Sequence, residues 1–183
     1  MRPLPIISAL GILISGSGCT SVASDTAERS ARSEATATCP TTTETENVAI
    51  ARVFHEDAIN QRNVAALQDI LHPEVVHHAA GGYRDFMSAD DVAAMMVEFP
   101  AAFSDLRIEI DFMVAEDELV VERYTATGTQ DGPLQDLPPS GRQATWTGIN
   151  IFRIECGRIA EIWSEVDALS RREQLQGRPV RGS

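Results

Sequence analysis

The sequence predicts an α+β domain in which a curved antiparallel sheet wraps around helices placed mostly before it, leaving one end open. Three observations point there. Apolar residues recur at helical spacing in three early segments, later segments alternate as strands do, and short polar turns join those strands. About 140 residues remain for this domain once the N-terminal segments are set aside, enough to bury about two-thirds of the unfolded surface in one core. One domain is expected.

The elements follow in order. Thr43-x-x-Glu46 forms a capping box, and beyond it Ile50, Val53, Phe54 and Ala58 share one helical face. Asn60-Gln61-Arg62-Asn63 breaks that pattern, Asn63 stands as the cap of a second short helix through Val64, Leu67, Ile70 and Leu71, and Pro73 ends it. Val75 to Ala80 reads as a strand carrying His77 and His78, one on each face, followed by Gly81-Gly82. Ser88 opens a third helix whose Val92, Met95, Met96, Phe99 and Phe103 form a stripe. Such a stripe serves as core or as the lining of a pocket for a flat apolar ligand. Leu106, Ile108, Ile110 and Phe112 alternate with charged residues, and Leu119 to Thr129, Gln143 to Ile154 and Arg158 to Val166 complete the sheet. Ala168 to Gln176 closes the fold as a helix up to Gly177.

The first 45 residues read differently. Arg2, an apolar run from Leu4 to Ile14, small residues and then Cys19 describe an export signal, too short to span a bilayer. Small residues before a cysteine resemble the processing site of bacterial lipoproteins, which implies lipidation at Cys19 and an exported protein held in the cell envelope, membrane-bound only through that anchor. An ordinary signal peptide cleaved nearby is the other reading. Residues 20–45, rich in Ser, Thr, Ala and acidic groups, cannot offset their own ordering by burial and form a tether. The organisation is thus signal 1–19, tether 20–45, domain 46–177 and a short tail 178–183. Cys39 and Cys156 are the remaining thiols, and in an oxidising compartment they are candidates for a disulfide.

The formal net charge of -12 argues against nucleic acid as a partner. Adjacent histidines on a strand point apart, and no His-x-x-x-His or Cys-x-x-Cys completes a metal site, so none is expected. Neither a phosphate loop, a dinucleotide fingerprint nor a nucleophile elbow is present, and no cofactor is called for.

From Gly128-Thr129-Gln130 the chain runs through Leu137-Pro138-Pro139-Ser140-Gly141-Arg142 to Gly148-Ile149-Asn150-Ile151-Phe152-Arg153, then Gly157-Arg158-Ile159-Ala160-Glu161-Ile162-Trp163 and Asp167. In that order it resembles the SnoaL-like polyketide cyclase family, also called ester cyclases, of the nuclear transport factor 2-like superfamily. The resemblance spans Glu46 to Gln176 and implies a cone-shaped α+β fold with one apolar pocket. It also implies cofactor-free acid/base chemistry, either intramolecular aldol cyclisation or isomerisation, on a hydrophobic carbonyl compound. Asp167 would be the general acid/base, with N-cap of the last helix as its other reading. His78 matches a common pocket histidine, with a surface role as its other reading. Phe54, Met95, Phe99, Gln130 and Trp163 are the candidates for substrate contact. Gln130, Ile162 and Ser164 depart from the family pattern, which leaves open a different substrate or a fold kept for binding alone; a homodimer and a sheet face that docks a partner are separate expectations.

Overall fold

The structure, a computed structural model, describes residues 39–80 and 83–178. Cys19, the signal segment, nearly all of the tether, Gly81-Gly82 and the end of the tail lie outside the described residues.

Helix α1 (Glu44–His55) starts as the capping box requires: the Thr43 hydroxyl accepts from the Glu46 amide at 3.3 Å and the Glu46 carboxylate accepts from the Thr43 amide at 2.8 Å. It widens into a π-helical turn, Glu56–Asn60, which ends where the Asn60 side chain exchanges two hydrogen bonds with the Ile108 backbone, at 2.7 and 2.8 Å. The polar break therefore ties the first helix to the sheet. A 3₁₀ turn (Val64–Ala66) and a short α2 (Leu67–Ile70) follow.

Two local expectations are corrected here. Asn63 makes no side-chain cap. Pro73 does not terminate the helix, because Leu71 is already extended at φ -91° and ψ 140°, and Pro73 lies inside strand β1 (Leu71–His78). That strand is the sheet edge, and its pairing is irregular between Leu71 and Val76, so a missing N–H is tolerated.

Helix α3 (Ala89–Ala101) is capped by the Ser88 hydroxyl, which accepts from the Asp91 amide at 3.1 Å. Strands β2 (Arg107–Glu116), β3 (Leu119–Thr129), β4 (Gln143–Glu155) and β5 (Arg158–Val166) form the antiparallel meander, and α4 (Ala168–Leu175) ends the fold. The sheet order is β1-β5-β4-β3-β2, with β1 added parallel to β5. Register shifts in β2 between Ile110 and Phe112 and in the β4/β5 pair near Arg153 bend the sheet. Helix α1 packs on β2, β3 and β5, α3 on β1, and α4 on β4. Phe54, Phe103, Phe152, Ile159 and Ile162 are buried between these layers.

Cys39 and Cys156 are both disulfide-bonded. Among the described residues, no helix is long and apolar enough to cross a membrane.

Candidate functional site

Strand alternation fixes what faces the helices. In β3 the buried positions include Val120, Glu122, Tyr124 and Ala126, and in β4 they include Trp146, Gly148, Asn150 and Phe152. Cross-strand register sets Glu122 opposite Asn150, Asn150 opposite Ser164, and Tyr124 opposite Gly148. A polar row thus crosses an apolar sheet face. Gly148 leaves room there for Tyr124, since a Cβ at this position would overlap the Tyr124 hydroxyl and force that side chain to move.

The polar row forms a connected chain. Asn150 donates its amide N–H to Glu122 Oε2 at 3.2 Å, which turns its carbonyl oxygen toward Ser164, whose hydroxyl donates to it at 2.7 Å. His77 Nε2 lies 2.8 Å from that hydroxyl. Since the Ser164 proton is already given to Asn150, the Ser164 oxygen accepts from His77 Nε2–H, leaving His77 Nδ1 as a bare acceptor. That nitrogen is buried and has no hydrogen-bond partner among the described residues. At the other end, His55 Nδ1 sits 2.8 Å from Glu122 Oε2, at ion-pair distance although not aligned as a hydrogen bond, and His55 Nε2 faces the Asn150 amide at 3.5 Å. Glu122 is fully buried and His55 is 3% exposed, so each supplies the polar neighbour the other needs away from water.

These groups line, or stand directly behind, an open-ended cavity holding about 670 Å³ of space including its mouth. His55, His77, Asn150, Ser164 and Tyr124 supply its polar wall; Phe54, Phe86, Met95, Met96, Phe99 and Trp146 are among its apolar lining. Burial pushes the Tyr124 hydroxyl up to about 12, with the Glu122 charge adding to the effect. Burial and the neighbouring His78 charge bring His77 down to about 4, so it is neutral near pH 7. Arg171 enters from α4, with its guanidinium carbon 5.2 Å from both the Phe99 and the Trp146 ring centres.

The residues expected from sequence fall on both sides of this wall. Phe54, Met95 and Phe99 line the cavity. His78 does not: it points away from the interior, with Nδ1 3.1 Å from Asp85, Nε2 3.0 Å from Glu161, and its ring stacked on Trp163. The alternation of the two histidines holds, but the inward one is His77. Trp163 shares the outer face for the same reason of strand parity. Gln130 is completely buried outside the cavity, donating to the Leu137 and Pro138 carbonyls at 3.4 and 3.2 Å and so pinning the Pro-rich loop. Asp167 is exposed and accepts from the Ser170 amide at 3.0 Å, the N-cap arrangement, and it does not line the cavity. Among the described residues no group of three or more His, Cys, Asp or Glu is arranged to hold a metal ion.

Glu122, Asn150, His55, Tyr124 and Arg171 escaped the sequence reading as site residues, while Ser164 figures there only as a departure from the family pattern and His77 only as the histidine on the face opposite His78. One signal was available: Glu122 shares strand parity with Val120, Tyr124 and Ala126, and a carboxylate on a core face requires a partner.

Comparison with known proteins agrees with this architecture. The family model for SnoaL-like polyketide cyclases matches residues 49–175. A SnoaL-like protein from Jannaschia sp. CCS1 superposes with a TM-score of 0.68 at 22% identity, covering 74% of this chain and 95% of that one. TsrD from Streptomyces laurentii gives a TM-score of 0.66 at 29% identity over 73% of this chain and 97% of its own. An LEH-like epoxide hydrolase from M. tuberculosis shares the fold at a TM-score of 0.58 and 13% identity, over 73% of this chain and 92% of that one. No curated protein matches the sequence.

Proposed function

The chain belongs to the SnoaL-like polyketide cyclase family, and from that premise we propose that it is a cofactor-independent acid/base enzyme. It abstracts a proton from a carbon next to a carbonyl in a hydrophobic small molecule and returns it after cyclisation or isomerisation. The observation that carries this reading is the polar chain His77–Ser164–Asn150–Glu122–His55 set along a largely apolar cavity.

His55 is the base. The Glu122 carboxylate behind it stabilises the imidazolium formed when the substrate proton is taken, the role a buried acid plays toward any catalytic histidine. Tyr124, protonated at ordinary pH, donates a hydrogen bond to the oxyanion as the carbonyl becomes an enolate. In a cyclisation the enolate carbon attacks a second carbonyl of the same molecule, forming the carbon–carbon bond. The new alkoxide then takes the proton from the imidazolium. The apolar walls hold the chain folded for that attack, which supplies much of the acceleration.

Solvent-deuterium exchange into the α-carbon of a hydrophobic aryl ketone such as 1-tetralone, followed by NMR, tests this reading. The wild-type protein should accelerate exchange, and His55→Gln should lower it by roughly 100- to 10,000-fold. Full exchange by His55→Gln removes His55 from the role.

A second reading is favoured by the exposure of Asp167, the residue to which the family resemblance assigns proton transfer. The cavity then binds its ligand without chemistry, and saturable binding with no exchange is its signature.

A further inference from the structure

Arg171 carries an inference beyond that chemistry. It is 4% exposed, although it sits on the last helix next to Arg172, which faces outward and grips Asp136 with two hydrogen bonds of 2.7 Å. Arg171 has no such carboxylate. Its guanidinium lies between the rings of Phe99 and Trp146, and no acidic group among the described residues forms an ion pair with it. The nearest candidate in sequence, Asp167, is committed to the Ser170 amide at the helix start.

A guanidinium stays protonated in proteins, so this is a buried positive charge that lies against two aromatic faces and, among the described residues, has no carboxylate at ion-pair distance. Burial disfavours its charged form, and Tyr83, Tyr124 and Asp167 offset part of that. A charge taken out of water without a partner is costly, and an anionic ligand group that paired with it would offset that cost. Arg171 lines the cavity, and in a chain of net charge -12 it is what would draw an anion there. Two phenols, Tyr83 and Tyr124, line the same cavity, and burial holds both in the protonated, donating form.

We propose that Arg171 is the carboxylate anchor of the cavity, and that the ligand is an amphipathic organic acid with an apolar, aryl or polyene body. The carboxylate lies against the guanidinium between Phe99 and Trp146. The body runs along the apolar wall toward the Ser164–Asn150 row. The proposal rests on the cavity being the ligand site but not on any reaction there.

The test is calorimetric titration of the full chain with 1-naphthoate and with 1-naphthamide, which share a shape and differ in charge. The wild-type protein should bind the acid at least about tenfold more tightly than the amide, the scale of one charge-assisted bidentate contact. Arg171→Met should abolish that preference, chiefly by weakening binding of the acid, and Arg171→Lys should retain part of it. Thermal melting of both variants checks folding, and the wild-type comparison decides alone if Arg171→Met does not fold. Equal affinities in the wild type, a preference that survives in Arg171→Met, or no binding of either probe overturns the proposal. Preference for the acid combined with absent deuterium exchange sinks the catalytic reading and leaves this one standing.

Discussion

Asp167 shows how one residue type satisfies two different expectations at one position. An aspartate between a strand and a helix is favoured as a cap because its carboxylate accepts from the orphan amides of the first turn, and here it accepts from Ser170. The same position is where the family resemblance places an acid/base group, and no count of residues along the chain separates the two. Their consequences differ. Asp167→Ala should lower stability by about 1 kcal/mol in urea denaturation, Asp167→Asn should cost less, and neither should reduce deuterium exchange by even tenfold. A large loss of exchange in a fully folded Asp167→Asn protein would return the catalytic role to Asp167. The groups that do line the cavity are set by parity. Two neighbouring histidines, alike as letters, end on opposite faces of β1, and the choice between them depends on register against β5, where His77 lies opposite Ile162 and His78 opposite Trp163. Register is a long-range property, so the histidine pair was legible and its facing was not.

At the level of elements, the segment after β1 joins the edge strand to the cavity. It carries Ala79, Ala80, Tyr83 and Phe86, all of which line the cavity, and it is fastened from outside by His78. Asp85 from this segment and Glu161 from β5 each face one ring nitrogen of His78, Arg153 holds Glu161 from its other side, and Trp163 covers the ring. The hydrogen bond to Glu161, with help from Asp85, raises the His78 pKa above its ordinary 6.5. A raised folded value means that the clamp's stabilisation is fully present below pH 6.5 and is lost as pH climbs through the raised value. His78 is more than a third exposed, so solvent screens much of the effect. Hydrogen exchange of the amides of Tyr83 to Phe86 should therefore quicken as pH rises above 6.5 beyond the intrinsic chemical dependence, and His78→Gln should remove that excess. An unchanged excess in His78→Gln would rule the clamp out. Element by element, the helices and the meander were readable because each carries its own period and caps. The parallel docking of β1, its absorption of Pro73 and the wedge of Asn60 against Ile108 were not, since each depends on a partner far along the chain.

For the whole molecule, acid stability is where buried and exposed groups part company. Asp136, Asp105, Asp131, Glu161 and Glu46 are all held below their ordinary values by hydrogen bonds, so their contributions are present above about pH 4 and disappear only as pH falls lower. His77 works in a different window. Its pKa falls from 6.5 to about 4 on folding, mainly through burial. Below 6.5 the unfolded chain therefore takes up a proton that the folded chain refuses. The stability contributed by neutral His77 is complete above pH 6.5 and drains away between 6.5 and 4, opposite in direction to the contribution of His78. With His77 4% exposed, the difference amounts to about 3 kcal/mol at the acid end of the window. Protonation would keep the Nε2–H bond to Ser164 but create an Nδ1–H for which the described residues offer no acceptor. Unfolding by urea at pH 7 and at pH 4.5 should show this loss in the wild-type protein. In His77→Gln, which keeps a hydrogen-bond donor for Ser164 but cannot take up a proton in this range, most of the loss between these two pH values should be absent. If His77→Gln loses as much stability as the wild type over the same interval, the titrating group lies elsewhere and His77 is not the buried neutral imidazole described above.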